Sequence, residues 1–180
     1  MRSLVIYESM YGNTHLIADA IGAGLREAGD VEVVHVDEAN VEEVSAADLV
    51  VAGGPTHAHS MSRPSTRKAA IESVEKNGPD LSLDPDAAGE GVREWLASLG
   101  DVSGMAAAFD TRVDVPPALS GRASKGIAKH LRRHGFEMVA DPESFLVTKE
   151  NVLEPDEEER ARAWGAGLAE TMIRAERASA

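Results

Sequence analysis

The chain has no cysteine. That excludes a disulfide framework, a thiolate metal site and a cysteine nucleophile. Aromatic residues are scarce, at 4% of 180 residues. No apolar run approaches the roughly 18 residues of a membrane span. The start, Met1-Arg2-Ser3-Leu4-Val5-Ile6-Tyr7, is too short in apolar length for a signal peptide and lacks a small-residue cleavage site. Positive charge is the minority sign, with 18 Lys and Arg against 31 Asp and Glu and a net charge of −13. A polyanion would be repelled, so general nucleic-acid binding is excluded. The length suits roughly one domain. A single soluble, cytoplasmic domain over residues 1–180 is the expectation.

Short apolar runs alternate with helix-period stretches. Leu4–Tyr7, Asp48–Gly53 and Gly104–Phe109 read as buried strands. Val31–Val36 and Phe136–Val139 read as strands interrupted by charge, with Phe145-Leu146-Val147 continuing the last. Ile17, Ile21, Gly24, Leu25 and Ala28 mark a helix face from Thr14 to Ala28. Val92, Trp95, Leu96 and Leu99 mark another helix, and Ala123, Ile127 and Leu131 a third. A C-terminal helix over 154–178 is expected, with Pro155 in its first turn and acids after it. Lys76–Gly91, rich in Gly, Pro and Asp, reads as an exposed, mobile loop.

This alternation predicts an α/β fold with a parallel sheet covered on both faces. The interrupted strands belong at the edges. That gives a three-layer, doubly wound, five-stranded parallel sheet of order 2-1-3-4-5. A ligand in such a sheet binds beyond the carboxyl ends of the strands, at the switch point between the first and third.

Three loops follow those ends. The first, Ser9-Met10-Tyr11-Gly12-Asn13-Thr14, has two hydroxyls, a glycine and a helix start, but no cation. Free amides and the positive end of a helix favour an anion, and neutral donors suit a monophosphate ester. Capping of the helix by Ser9 or Asn13 is the plainer reading. The second loop opens Gly53-Gly54-Pro55-Thr56-His57-Ala58-His59. Its His-Ala-His has no third metal ligand nearby, so contact with a ligand ring or proton donation suits it better than a metal site. The third loop is Phe109-Asp110-Thr111-Arg112 and the residues after it.

On these motifs the chain resembles the flavodoxin family, and the Met-Tyr-Gly of its first loop is similar to that of flavodoxin-like quinone reductases. The resemblance implies bound FMN. Ser9, Met10, Tyr11, Gly12, Asn13 and Thr14 would then hold the phosphate. Pro55, Thr56, His57, Ala58 and His59 would face the ribityl chain and ring. Phe109, Asp110, Thr111 and Arg112 would meet the pyrimidine edge, with Arg112 placed to stabilise a reduced flavin. The second loop departs from the family in having no Trp, Tyr or Phe. The ring is then left to His and Met side chains, to Tyr11, or to a second subunit in a homodimer.

Other functions on this fold lack their residues. A receiver domain needs an Asp where Gly53-Gly54 stands. A nucleoside-triphosphatase needs Gly-Lys-Ser/Thr, and a serine hydrolase Gly-x-Ser-x-Gly. Two readings remain: an FMN electron carrier docking to a redox partner protein, or an FMN-dependent reductase taking hydride from a nicotinamide nucleotide for a quinone-like acceptor. A flavin-free interaction module is a third, against which the intact first loop speaks. In neither of the first two is a catalytic side chain or a metal expected. Finally, Arg122, Lys125, Lys129, Arg132 and Arg133 form a basic island with no acid between 122 and 134. It reads as a docking surface or a solvated helix face.

Overall fold

A computed structural model describes residues 1–77 and 82–179. The parallel strands are β1 (Arg2–Tyr7), β2 (Asp30–His35), β3 (Leu49–His57), β5 (Gly104–Val113), β6 (Phe136–Met138) and β7 (Glu143–Val147). A short β4 (Ser60–Met61) returns antiparallel against β3. The order is β2-β1-β3-β5, with β6 and β7 both on the far side of β5. The expected 2-1-3-4-5 arrangement is therefore present, its fifth position filled by two strands. β6 pairs with Gly104–Ala106 and β7 with Phe109–Val113. Between them lies Pro142, which has no amide to donate to the ladder.

The helices are α1 (Asn13–Leu25), α2 (Val41–Ala46), α3 (Pro64–Asn77), α4 (Val92–Ser98), α5 (Pro117–Ser120), α6 (Ala123–His134) and α7 (Glu157–Ser179). They make the sheet the middle of three layers. Ile17, Ile21 and Leu25 of α1 join Ala161, Leu168 and Met172 of α7 over one face. Val44, Trp95, Leu96, Ile127 and Leu131 cover the other. β1, β3 and β5 are buried on both faces, which is why they read as unbroken apolar runs.

The register levels the strand ends. Tyr7 pairs with Gly53, and Gly53 with Phe109. The segments after Tyr7, Gly53 and Phe109 therefore emerge side by side at one edge. β5 runs four residues past Phe109, so Asp110–Val113 are strand and not loop.

Two further expectations need correction. α7 begins at Glu157, after Asp156 at φ +66°, so Pro155 stands outside the helix. The Glu157 carboxylate accepts the Leu146 amide at 2.8 Å and pairs with Arg160 at 2.6 Å, which fixes the start. The second concerns Lys76–Gly91. Its first two residues, Lys76 and Asn77, end α3, residues 78–81 lie outside the described residues, and 82–91 is an irregular segment with hydrogen bonds to distant parts of the chain. The Asp84 amide bonds the Met10 carbonyl at 2.9 Å, and the Glu90 amide bonds the Asp37 carboxylate at 2.9 Å.

α1 and α7 cross in close contact. A Cβ on Gly165 would stand 2.3 Å from the Ile21 carbonyl oxygen, whereas one on Gly167 would meet nothing within 4 Å. Gly165→Ala is therefore expected to cost about 1–3 kcal/mol through overpacking against backbone. Gly167→Ala should gain up to about 1 kcal/mol of helix propensity. Urea unfolding of the two variants checks this contrast.

Candidate functional site

The site is built on the amino end of α1. Gly12 adopts φ +85° and no side chain caps the helix. The first amide with an intrahelical acceptor is Leu16, bonded to the Gly12 carbonyl at 3.0 Å. The amides of Asn13, Thr14 and His15 precede it and have no acceptor within the helix. Ser9 Oγ accepts the Gly12 amide at 3.1 Å, which holds the turn. Asn13 does not cap either, since its Nδ2 donates to the Asn151 carbonyl at 2.8 Å.

A cleft of about 60 Å³ opens beside this helix start, lined by Met10, Tyr11, Asn13, Thr14, Pro55, Thr56, His57, Thr111, Arg112, Val113, Val147 and Asn151. Thr14 and Thr111 are both buried, and their hydroxyls lie 2.8 Å apart. Nine of the residues expected at the site thus come together. Sequence reading missed Val113, Val147 and Asn151. Asn151 sits at φ +58°, a conformation Asn tolerates, and its Thr-Lys-Glu-Asn setting is a turn signal.

Other expected residues do not reach the cleft. Phe109 is fully buried, with its ring over Gly53, where a Cβ would come within 2.2 Å of it, and edge-on to Phe145 at 6.3 Å. Its side chain belongs to the core. Asp110 is also fully buried, on the opposite face of β5 from Thr111; its Oδ2 accepts the Ser124 amide at 2.7 Å. Thr56 Oγ1 accepts the Ala123 amide at 2.9 Å. Asp110 and Thr56 thereby supply the first turn of α6 with its acceptors. Ala58 and His59 form the two-residue turn between β3 and β4, both at positive φ, 46° and 70°. Neither has the glycine freedom that such turns favour.

Arg112 lines the cleft but is tethered. Its Nη1 donates to the carbonyls of Val115 at 2.7 Å and Val113 at 3.2 Å. His57 is held below the ordinary histidine range, first by burial and then by the charge of Arg67. At neutral pH it is an uncharged donor and acceptor. Beneath the β3–β4 hairpin, Glu8 is buried and accepts the Val92 amide at 2.9 Å. Burial pushes its carboxyl up, against the pull of Ser62, the Val92 amide and Arg67.

Burial likewise pushes the Asp110 carboxyl up, opposed by the Ser124 amide and hydroxyl, Ser144 and Arg122. A carboxylate with a folded pKa above its unfolded value binds its proton more tightly when folded. Its ionisation therefore lowers stability as pH rises from the unfolded value, about 4, through the raised folded value. Asp110→Asn keeps an acceptor for Ser124 and removes that burden. It is expected to match or exceed the parent stability at pH 7, with the difference shrinking towards pH 4. Asp110→Ala, which orphans the amide, should cost about 1–3 kcal/mol. Urea unfolding at the two pH values is the measurement.

The donor set fits FMN in part by size and in part by chemistry. Uncapped amides and a buried hydroxyl pair suit a phosphate monoester. The cleft, at about 60 Å³, has room for a phosphate or a ribityl chain, and a three-ring system would extend beyond it to its mouth. The rings available to meet it there are Tyr11 and His57.

Comparison with known proteins agrees with this architecture. A family model for flavodoxin matches residues 5–114. Over 56 residues the chain is 43% identical to a flavodoxin of Aquifex aeolicus, covering 30% of each protein. It is 29% identical over 82 residues to an NAD(P)H dehydrogenase (quinone) of Geobacter sulfurreducens, covering 31% of this chain and 40% of that one. The chain thus matches less than half the length of either curated relative. A solved flavodoxin from the domain Archaea superposes with a TM-score of 0.64 at 21% identity, over 96% of this chain and 99% of that one. At that identity the likeness speaks for the fold. With the family model covering most of the chain, it belongs to the flavodoxin family, whose cofactor is FMN.

Proposed function

We propose that the cleft holds FMN and that the protein transfers electrons through it, as a carrier between protein partners. The observation that carries this reading is the uncapped start of α1 beside the buried Thr14–Thr111 hydroxyl pair. On this reading the backbone of residues 10–14, with the hydroxyls of Ser9 and Thr14, binds the phosphate. Pro55, Thr56 and His57 form one wall, and Thr111 and Arg112 the other. FMN, when bound, supplies one- and two-electron chemistry. The protein's residues bind and orient it. Arg112, fixed by the Val113 and Val115 carbonyls, keeps a positive charge in the wall. His57 offers a hydrogen bond without adding charge. Asn13, tied to Asn151, closes the end of the cleft by the helix start.

A second reading, an FMN-dependent reductase for a nicotinamide nucleotide and a quinone-like acceptor, rests on a different observation. With Tyr11 and His57 as the aromatic rings of the cleft, much of a planar ligand's face is left uncovered. That exposure leaves room for a substrate. The Geobacter relative supports the same reading.

The purified protein is expected to bind FMN and to turn yellow. FMN should bind at least about 100-fold more tightly than riboflavin, since two hydrogen bonds to a charged phosphate contribute about 3 kcal/mol. Equal affinities, read from flavin fluorescence quenching, would remove the phosphate assignment. Thr14→Ala should weaken FMN about tenfold, the equivalent of one such bond at the low end. Anaerobic mixing of the loaded protein with NADH or NADPH separates the two readings. A carrier keeps its colour, whereas a reductase bleaches.

A further inference from the structure

α6 carries charge in a way that helix stability does not explain. Its 12 residues include no acid, and its first turn has none. Arg132, Arg133 and His134 at its carboxyl end suit the helix dipole. Lys125, three residues after the N-cap Arg122, opposes it. Lys125, Lys129, Arg132 and Arg133 fall at i, i+4, i+7 and i+8, on one exposed side of the helix. Among the described residues none of the four forms an ion pair. The opposite side, with Ser124, Ile127, Ala128 and Leu131, is buried. The field of the cationic side reaches His130, which is held below the ordinary histidine range by burial first and then by Arg133, Arg93, His134 and Lys129.

This face begins at the proposed cofactor cleft. The Ala123 amide is held by Thr56, a residue of the cleft wall, and Ser124 by Asp110, the strand neighbour of Thr111. Just before α6, Gly121 bridges to His59 at the tip of the β3–β4 turn, and Leu119 on α5 is 66% exposed. An exposed apolar side chain thus stands at the cleft end of a cationic strip. Excluding the five cations of 122–133, the rest of the chain carries −18.

We propose that the α6 face docks an acidic protein that exchanges electrons at the cleft, with Leu119 as the apolar contact and Lys125, Lys129, Arg132 and Arg133 as its charged rim. This rests on the reading of the cleft as the FMN site. Charge complementarity selects the occupant. A compact acidic surface feels the local strip, because charges more than about 10 Å away are screened at ordinary salt. A long polyanion or an anionic membrane spans the −18 body as well and is repelled. The opposed signs also orient the approach, bringing the acidic partner in by α6 and no other side.

The test uses the FMN-loaded protein and, as probe, an acidic plant-type 2Fe–2S ferredoxin, followed by titration calorimetry and by amide chemical shifts. Binding is expected to perturb residues 119–133. Raising salt from about 20 to about 200 mM, which shortens the Debye length from roughly 20 to roughly 7 Å, should weaken it about tenfold or more. The K125E/K129E/R132E/R133E variant should lose binding by a similar factor while keeping its flavin spectrum. The neutral K125Q/K129Q/R132Q/R133Q variant should fall between. Absence of binding, shifts elsewhere, or full affinity in the charge-reversed variant would overturn the proposal. So would salt-sensitive self-association abolished by the same variant, which assigns the face to a second copy, or a preference for phosphatidylserine vesicles over the ferredoxin. If the protein takes up no FMN, the cleft reading fails, and titration of the apoprotein still tests the face.

Discussion

The amides of Asn13, Thr14 and His15 need an acceptor that the described residues do not supply. They stand at the positive end of α1 with no capping side chain, and the two residues best suited to cap are used elsewhere. Ser9 takes the Gly12 amide, and Asn13 reaches to Asn151. A helix end left this way is completed by water or by an anion. The neighbouring structure holds the end in place. Gly12 makes the left-handed turn, the Asp84 amide ties down the Met10 carbonyl, and the common register of β1, β3 and β5 brings two more segments alongside. The site is a consequence of unpaired donors at a fixed place.

The polar side chains around it divide between scaffold and cleft. Thr56 and Asp110 cap α6, and Arg112 cross-links the chain from Val113 to Val115. Glu8 receives the first amide of α4, while Arg93 and Arg67 secure the hairpin through the Met61 and Ser62 carbonyls and the Ser62 hydroxyl. Each satisfies a buried donor or acceptor that would otherwise cost about 1–3 kcal/mol. The cleft keeps the Thr14–Thr111 pair, with Tyr11 and His57, among its lining residues. Walls held by second partners keep their geometry before a ligand arrives.

Much of the fold was legible because the central strands are unbroken apolar runs and the edge strands carry charge, a direct image of burial. The errors share one physical origin. Asp110 follows an apolar run that reads as the whole strand, yet it continues β5 and is buried because α6 brings an amide to it from 14 residues away. Phe109 looked available to a ligand, but Gly53 leaves the room into which its ring folds. Pro155 looked like a first helical residue, but Glu157 is claimed by Leu146 and Arg160. The first loop was readable because its function lies in local backbone. Asn151 and Val147 were not, since only the β7 register carries them to the cleft.

The scarcity of aromatic residues follows through the structure to the site. Phe109, Phe145 and Trp164 pack edge to face in the core under α1 and α7. Trp95 and Phe136 fill the other core. Tyr7 is buried under α1, stacked on His15 at 4.4 Å, where burial and Asp84 hold its hydroxyl protonated well above the usual tyrosine range. Of the seven aromatic side chains, that leaves Tyr11 for the cleft. Moving one of the others there would open a cavity costing about 3–5 kcal/mol in a core that has no spare ring. A planar ligand at the mouth would therefore meet one phenol and one neutral imidazole, and its remaining surface would be left to solvent, to a substrate or to a partner. The same composition that builds the cores also decides how open the site must be.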